Sequence, residues 1–518
     1  MSERARADTR AWLAPSRAGI LVLLVSLVAA NVHYVNRPLD DAFIFFRYAE
    51  NIARGRGWVF TEGERVEAYT SFLWTALLAL AGVLGAAKTK VGLIVAAKLG
   101  GMLCELCSVL CVAATARFVS PRTQNPFRGV FAVAVLALSA PFALWSVSGL
   151  ETPLAALLSL AAVHYQLRDR LLEPRPTVWP RSALLFALGV LTRPEIFFLF
   201  LASACVQVGY ELKNRSFRKN LRATLLWLPA FAAPCLAHLL WRHSYYGQWL
   251  PNTYYAKVAG DPLTWVRGTA YVWSALVDLG LGALLVAALI SFALARRVSV
   301  PAGYLMALTV VQLLIIALEG GDWMPAFRFV VPILPFAALL GDAALSEAHD
   351  RWATRLGRGL ATSAAFVVLG GMGYLGLRSV PASAAPSGFR RWQPVPVEQA
   401  QVTQWLNEHL PRRGLLALGE IGIIPYFTDL PVLDLFGLAD RHIAHLPGIR
   451  HHKFDVEYVL ERAPEYVLFY GKDEHGNPAS VFTYSKELLG SPRFTRDYRL
   501  LHDFRAFTLY ARKVRDSD

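Results

Sequence analysis

The chain has 518 residues, of which 55% are hydrophobic and only 17% are charged, whereas soluble globular domains carry about 25% charged residues. This deficit, the repeated long apolar segments and a mean hydropathy of +0.38 exclude a soluble globular protein and predict a polytopic membrane protein. The formal net charge of +14 does not indicate nucleic-acid binding, because the basic residues cluster in short loops between apolar segments, where they orient membrane proteins.

The first apolar segment, residues 18–35, is long enough to cross a bilayer. A signal peptide cleaved near residue 30 is the less favoured interpretation. Two adjacent carboxylates, Asp40 and Asp41, follow this segment, and carboxylates at the end of a span indicate a site because they are costly beside lipid. Two carboxylates this close repel each other when both are ionised, so their proton affinities differ. One aspartate can then stay ionised and take a proton from a hydroxyl as a general base. The alternative is that one of them caps the following helix.

The basic loops, all placed in the cytoplasm, predict about eleven spans, with the N-terminus inside and the C-terminus outside. Residues 70–86 are barely long enough to cross, and a crossing there would put the later basic loops on the wrong side. We therefore expect 36–91 to form one large external loop, with 70–86 lying in or dipping into the interface. Pro194 divides 181–193 from 195–210, and short or broken helices of this kind normally line a cavity.

This orientation brings the unusual polar clusters of the membrane part to one side. They are residues 40–51, 147–154, 191–196, 245–257 and 319–328. Charge counting alone puts them on the external face, without reference to their chemistry. The sequence therefore predicts a single external active site.

Four external basic residues near the ends of spans suit an anionic ligand such as a lipid phosphate. They are Arg47, Arg193, Lys257 and Arg328. Arginine offers a bidentate fork to phosphate, so these residues are candidates for binding the donor phosphate. The alternative for each of them is snorkelling of a long basic side chain to lipid headgroups.

Acidic and aromatic residues on the same face are candidates for binding sugar or acceptor. Glu151, Glu195 and Asp322 stand beside Gly or Pro at the ends of spans, where they either pair with the basic residues or accept hydrogen bonds from sugar hydroxyls. The loop at 245–257 is rich in aromatic and amide side chains, and its candidates are Tyr246, Asn252 and Tyr255. This loop is either a shaped sugar-binding loop or part of an interfacial aromatic belt.

Residues 380–518 are polar and mixed, which predicts a small α/β domain outside the membrane. A helix is expected at 397–410. Strands are expected at 414–418, 431–435, 465–470 and near 505–512, with Gly, Pro and Asp between them.

The external domain contains two patterns that weakly suggest ligands. The GEIG turn at 419–422 resembles a glycine turn that holds phosphate, but a single such turn is weak evidence. The histidines at 442, 445, 451 and 452 have no standard metal-ligand spacing, so we expect surface or substrate-facing histidines. The five cysteines lie in apolar segments, where packing between helices is the better interpretation. We expect no metal site.

These segments together resemble a known family. The set DDAFIFFRYAENIARGRGWVFTEGERVEAYTSFLW, SGLETPL, LTRPE, YYGQWLPNTYYAK, EGGDWMPAFRF and DLFGLAD is similar to the GT-C glycosyltransferases related to the mycobacterial terminal β-(1→2) arabinofuranosyltransferases. The resemblance covers nearly the whole chain in order, and the motifs are specific as a group.

The resemblance implies a GT-C fold with a catalytic aspartate in the first external loop, which maps to Asp40 and Asp41. It also implies a polyprenyl-phosphate sugar donor and no nucleotide-sugar site. In the arabinofuranosyl relatives the donor is decaprenyl-phosphoryl-arabinofuranose. Which of the two aspartates is the base stays open.

We therefore expect an inner-membrane protein with a GT-C transmembrane domain at 1–379 and an extracytoplasmic α/β domain at 380–518. It would transfer a sugar, arabinofuranose by resemblance, from the lipid donor to a cell-envelope glycan or lipid acceptor, with inversion and without a metal or cofactor. Membrane lipids are expected partners and nucleic acid is not. The competing hypothesis is a transporter or flippase of lipid-linked sugars, which would place its charges near the bilayer midplane, often in repeated halves.

Overall fold

The chain is largely helical, with one small sheet near its C-terminus. The structure is a computed structural model. It describes residues 17–36, 39–120, 128–172, 180–215, 217–257, 262–296, 298–352, 371, 396–411, 414–449, 452–472 and 482–513. The predicted domain boundary at 379/380 lies outside these residues.

Fifteen helices precede residue 353 within the described part of the chain. In chain order they are α1 (Arg17–Tyr34), α2 (Asp40–Ala53), α3 (Phe72–Val83), α4 (Lys90–Val119), α5 (Val130–Ala137), α6 (Ala140–Ser146), α7 (Thr152–Gln166), α8 (Arg181–Thr192), α9 (Ile196–Lys213), α10 (Phe217–Tyr246), α11 (Asn252–Lys257), α12 (Thr264–Asp278), α13 (Leu281–Ala295), α14 (Val300–Glu319) and α15 (Leu334–Trp352). A π-helical turn, Leu167–Leu172, continues α7.

Five of the described helical segments are long and apolar enough to cross a membrane. They are α4, α9, α14, the part of α10 from Ala223, and α15 with the turn before it. A sixth is obtained if α12 and α13, bent by 74° at their junction, form one broken span. The prediction of a multi-pass membrane protein is confirmed at this level, but the count of about eleven spans is not.

Two predicted irregularities of the membrane part are present. Helix α8 ends at Thr192 and α9 begins at Ile196, so the chain breaks around Pro194 as expected. Within 70–86 the helix α3 has only 12 residues, and its Trp74 Nε1 donates to the Gly149 carbonyl at 2.9 Å. The placement of 36–91 on the external side stays a prediction.

Helix α2 is the most enclosed element around the aspartate pair. Every residue from Ala42 to Asn51 is buried, because α3 covers one face and the C-terminal region covers another. The helix begins after Leu39, whose side chain makes no capping hydrogen bond. Asp40 and Asp41 therefore occupy the first turn, where a carboxylate interacts favourably with the positive end of the helix dipole, and neither is the N-cap residue.

The C-terminal α/β domain, residues 396–513 as described, combines a mixed five-stranded sheet with short helices. Its elements are α16 (Val397–His409), β1 (Leu416–Leu418), α17 (Ile423–Thr428), β2 (Val432–Asp434), α18 (Arg441–His445), α19 (Val456–Glu461), β3 (Tyr466–Tyr470), α20 (Thr483–Gly490), α21 (Pro492–Asp497), β4 (Tyr498–Asp503) and β5 (Phe507–Arg512).

The strand order is β2-β1-β3-β5-β4. Strand β1 pairs in parallel with β2 and β3, whereas β5 pairs antiparallel with β3 and β4. The predicted helix and the four predicted strands are confirmed. Sequence analysis missed β4, because an edge strand that is mostly exposed carries little of the apolar pattern that indicates a strand.

The C-terminal domain docks on α2 through one buried arginine. Arg47 donates from Nε to the Phe60 carbonyl at 2.8 Å, from Nη1 to the Pro425 carbonyl at 2.6 Å and from Nη2 to the Leu430 carbonyl at 2.7 Å. A guanidinium presents its donors in a rigid fork, so one side chain joins α2, the first loop and the segment around α17.

Further contacts lie around this interface between α2 and the C-terminal domain, which we call the domain joint. Lys90 Nζ lies 2.7 Å from a carboxylate oxygen of Glu50 and 2.7 Å from one of Asp429. Asn252 Nδ2 lies at hydrogen-bond distance from three carbonyls of the loop after β2, at 2.8, 3.0 and 3.1 Å. Asp40 accepts hydrogen bonds from the backbone N–H groups of Gly422, at 2.9 Å, and Ile423, at 2.8 Å.

We expect Gly422→Ala to weaken the docking of the C-terminal domain. A Cβ atom at this position would lie 2.0 Å from the Asp40 carbonyl oxygen and 2.5 Å from its Oδ2, so the backbones must separate. Overpacking of this kind costs about 1–3 kcal/mol, and thermal unfolding in detergent should show a lower midpoint. The matched control is Gly490→Ala, since nothing lies within 4 Å of a Cβ there. Equal midpoints for the two variants would contradict this packing.

Candidate active site

The two aspartates at the start of α2 have different surroundings. The carboxylate of Asp40 is occupied by the N–H groups of Gly422 and Ile423. Burial raises the pKa of Asp40 to about 6, although these two N–H groups oppose the shift. Asp40 is therefore part of the joint between the membrane part and the C-terminal domain.

Asp41 is half-buried, and its carboxylate is open. Within the described part of the chain, no hydrogen bond or ion pair occupies it. A carboxylate with free lone pairs beside a domain junction can accept a proton from an incoming hydroxyl. The structure thus distinguishes the two carboxylates, since that of Asp40 is hydrogen-bonded in the joint and that of Asp41 has no hydrogen bond among the described residues.

A third carboxyl group, Glu420, belongs to the same region, and sequence analysis did not select it. Burial raises the pKa of Glu420 to about 8, with further contributions from Asp40 and Asp41 and an opposing one from the hydrogen bond of Gln399. Gln399 Nε2 donates to Glu420 Oε2 at 3.3 Å. The sequence pointed to this region only through the GEIG turn at 419–422, which we interpreted as a possible phosphate-binding turn and not as the position of an acid. Two N–H groups at the end of this turn bind Asp40 instead.

A second polar cluster surrounds the ring of Phe329. Arg193 Nη1 lies 3.0 Å from Glu151 Oε1, and Arg193 Nε also bonds Glu195. Arg328 Nε lies 2.7 Å from Asp322 Oδ2. The guanidinium carbons of Arg193 and Arg328 are 4.4 and 5.0 Å from the centroid of the Phe329 ring, so the structure brings these two predicted arginines together.

Acids outnumber bases in this cluster. Glu319 lies close enough to Arg193 and Glu195 to interact electrostatically with both, which gives four carboxyl groups against two guanidinium groups. The acids pair with the basic residues, one of the two alternatives given by the sequence. Glu319 was missed although it begins the EGG segment. Tyr271 was also missed, because its neighbours in the sequence are apolar and do not indicate that it lies near Arg328 and Asp322.

The turn that contains Gly149 packs against the start of α2. A Cβ atom at this glycine would lie 2.9 Å from Phe46 Cζ and 3.2 Å from Ala42 Cβ, so the turn before α7 touches the first turn of α2. Ala42 follows Asp41 directly, and Glu151 lies two residues beyond Gly149. The segment that carries Glu151 therefore packs on the helix that carries Asp41.

Three other candidate residues have structural partners instead of lining this region. Arg47 and Asn252 bind carbonyls in the domain joint, as described above. Tyr246 donates its hydroxyl hydrogen to the Trp58 carbonyl at 2.9 Å and lies 3.1 Å from the Tyr69 hydroxyl. We leave these three out of the site proposed below, because the donors of Arg47 and Asn252 and the hydroxyl of Tyr246 bond neighbouring protein groups.

The remaining candidates lie on or beside α11. The ring of Tyr255 stacks on His445 with 4.3 Å between centroids, and Lys453 Nζ donates to the Tyr255 carbonyl at 2.8 Å. Lys257 is half-buried at the end of α11. Among the described residues, no carboxylate lies within ion-pair distance of its ammonium group. Lys257 thus differs from Arg193 and Arg328, which each form an ion pair, and from Arg47, which donates to three carbonyls.

The histidines of the C-terminal domain make local contacts. His442 Nε2 lies 2.9 Å from Asp455 Oδ2, and His452 Nδ1 lies 2.8 Å from the Thr483 hydroxyl. His451 lies outside the described residues. In the part of the chain that the structure describes, no three His, Cys, Asp or Glu side chains are grouped closely enough to hold a metal ion.

Comparison with known proteins gives matches over the membrane part and over the C-terminal domain. Residues 390–516 match a family described as a domain of unknown function, DUF8728. The chain is 31% identical over 356 residues to the terminal β-(1→2)-arabinofuranosyltransferase of Mycobacterium tuberculosis, covering 60% of this chain and 54% of that protein. It is 30% identical over 336 residues to the protein of the same name from Corynebacterium glutamicum, covering 58% and 47%.

The chain thus spans about half the length of the curated relatives that it matches. Among solved structures, it superposes on the crystal structure of ArnT from Cupriavidus metallidurans bound to undecaprenyl phosphate with a TM-score of 0.60, 13% identity and coverage of 97% of this chain and 99% of that chain. The predicted GT-C fold is confirmed, and relatives at about 30% identity carry the name that the resemblance predicted.

Proposed function

We propose that this chain is a membrane glycosyltransferase that transfers arabinofuranose from a polyprenyl-phosphate donor to a cell-envelope glycan or lipid. The open carboxylate of Asp41, at the junction between the helical part and the C-terminal domain, is the observation that carries this proposal. The arabinofuranosyltransferase relatives and the GT-C fold support the reaction class. The active site and the C-terminal domain would lie on the extracytoplasmic face of the bacterial inner membrane.

In the proposed reaction, the acceptor hydroxyl gives its proton to the Asp41 carboxylate. The acceptor oxygen attacks the anomeric carbon of the donor sugar as the bond from that carbon to the phosphate oxygen breaks. The bonding pair leaves with polyprenyl phosphate, and the anomeric configuration inverts. A positioned general base contributes roughly 10²–10⁴-fold to such a step. The proposal contains no metal or cofactor.

The donor phosphate would be bound by Lys257 together with Arg328. Lys257 carries a charge that no carboxylate balances among the described residues, whereas Arg193 is held by Glu151 and Glu195. In this arrangement Arg193 stays paired with the acids of the cluster. The guanidinium group of Arg328 shares its N–H donors between Asp322 and the phosphate. A cation beside the leaving oxygen stabilises the charge that develops on it.

We expect Asp41→Asn to abolish most transfer without loss of folding. Asparagine has nearly the same shape but cannot accept the proton, so the rate should fall roughly 10²–10⁴-fold while donor binding and the unfolding midpoint stay near those of the wild type. The assay is transfer from a synthetic polyprenyl-phosphoryl arabinofuranose to an arabinan oligosaccharide by the purified protein.

Asp40→Asn is the matched comparison. Its amide nitrogen would meet one of the N–H groups of Gly422 and Ile423, which leaves a buried donor without an acceptor, a cost of about 1–3 kcal/mol. This variant should therefore unfold at lower temperature. Wild-type activity in Asp41→Asn, or a loss of activity in Asp40→Asn with an unchanged midpoint, would reverse the two assignments.

We expect Lys257→Gln to raise the donor KM roughly tenfold, because one charge-assisted hydrogen bond to the phosphate is lost. The acceptor KM and the unfolding midpoint should not change. Lys486→Gln, at an exposed position of α20, is the control for loss of a lysine charge. An unchanged donor KM in Lys257→Gln would move the phosphate site away from α11.

A further inference from the structure

The carboxyl ends of the parallel strands of the C-terminal sheet face the aspartate pair. Strand β1 ends at Leu418, and Glu420 follows two residues later. Strand β3, its parallel neighbour, ends at Tyr470. Ligands of open sheets with parallel strands bind beside the carboxyl ends of those strands. In this protein that edge is pressed against the start of α2 by the bonds from Gly422 and Ile423 to Asp40.

The side chains along this edge differ in their hydrogen-bond partners and in their exposure. Asp434, at the end of β2, accepts hydrogen bonds from the Phe436 and Ala439 N–H groups of its own turn. Glu420 receives only the 3.3 Å bond from Gln399 among the hydrogen bonds of the described residues. Tyr470 is 38% exposed. An acid with spare lone pairs and an exposed aromatic ring are the kinds of group that bind sugar hydroxyls and sugar faces.

We propose that Glu420 is an acceptor-binding residue of the active site, supplied by the C-terminal domain, and that it hydrogen-bonds the acceptor sugar next to the hydroxyl that Asp41 deprotonates. This inference rests on the proposed function. It assigns Glu420 to the acceptor because the lipid donor must enter from the bilayer. The C-terminal domain approaches α2 with a carboxyl group that suits the hydroxyls of a glycan.

The protonation state of Glu420 follows from the groups around it. Burial and the neighbouring Asp40 and Asp41 raise its pKa to about 8, so at neutral pH it carries a proton that it can donate to an acceptor oxygen. As the pH rises through 8 this proton is lost and a further negative charge appears beside the aspartates. The groups facing Glu420 are Asp40 and Asp41 of α2, Gln399 of α16, Tyr470 of β3 and Tyr484 of α20.

The experiment compares wild type, Glu420→Ala and Glu420→Gln as full-length proteins, with acceptor and donor KM measured on either side of pH 8. The wild-type acceptor KM should rise above that pH. Below pH 8, where Glu420 carries its proton, Glu420→Ala should raise the acceptor KM roughly tenfold, because a hydrogen bond to the acceptor is lost, and this variant should show no further rise through pH 8. Glu420→Gln keeps a donor that does not titrate, so its acceptor KM should stay close to the low-pH value and not rise. The donor KM should not change in either variant.

Glu461→Gln is the matched control, because this glutamate is exposed at the end of α19 in the same domain. It should behave as the wild type. A lower unfolding midpoint in Glu420→Ala together with an unchanged acceptor KM would overturn the inference and make Glu420 structural. Wild-type transfer with no effect of either Glu420 variant would overturn it and leave the proposed function standing. No transfer by the wild type would overturn both.

Discussion

The bonds of Arg47 to three backbone carbonyls organise the region in which the site lies. Two of these carbonyls, those of Pro425 and Leu430, are 378 and 383 positions away along the chain. A buried charge is tolerated when it is hydrogen-bonded, and here all three guanidinium nitrogens of Arg47 donate to backbone carbonyls. The segment around α17 is held in place by this contact, and with it Glu420, Gly422 and Ile423 reach the start of α2.

The same joint explains why two adjacent aspartates have different chemistry. Asp40 is turned towards the backbone of the C-terminal domain and serves as an acceptor of two N–H groups. Asp41, one residue later on a helix, points about 100° away around the helix axis and keeps its carboxylate open. One domain interface therefore fixes the orientation of the candidate base and also brings an additional acid beside it.

The two arginines of the cluster around Phe329 are paired locally. Arg193 and Arg328 lie against one aromatic ring, each with its own carboxylate partner. Taking two charges out of water is costly unless they pair well, so pairing is the expected state of a cluster at the edge of a bilayer. A phosphate that binds here must compete with these acids, and this is why the proposed donor site also uses the charge of Lys257.

Composition and local pattern were enough to predict the membrane class, the break at Pro194, the helix of the C-terminal domain and four of its five strands. These properties depend on apolar segments, basic loops and turn residues that lie next to one another in the chain. The aspartate pair was also recognisable, because two carboxylates after a span are unusual wherever they occur. The edge strand β4 was missed, since its exposed side chains carry little apolar pattern.

The assignment of roles to the polar residues required the tertiary structure. Arg47, Asn252 and Tyr246 have the composition of binding residues, yet their partners are backbone groups or aromatic side chains far away in sequence. Glu420 belongs to the GEIG turn, but the sequence did not mark the acid itself, because its importance comes from Gly422 lying against Asp40 across 382 positions. The sequence by itself determines the chemistry of each side chain and its spacing from its neighbours along the chain. The packing of distant segments determines which partner each polar atom has.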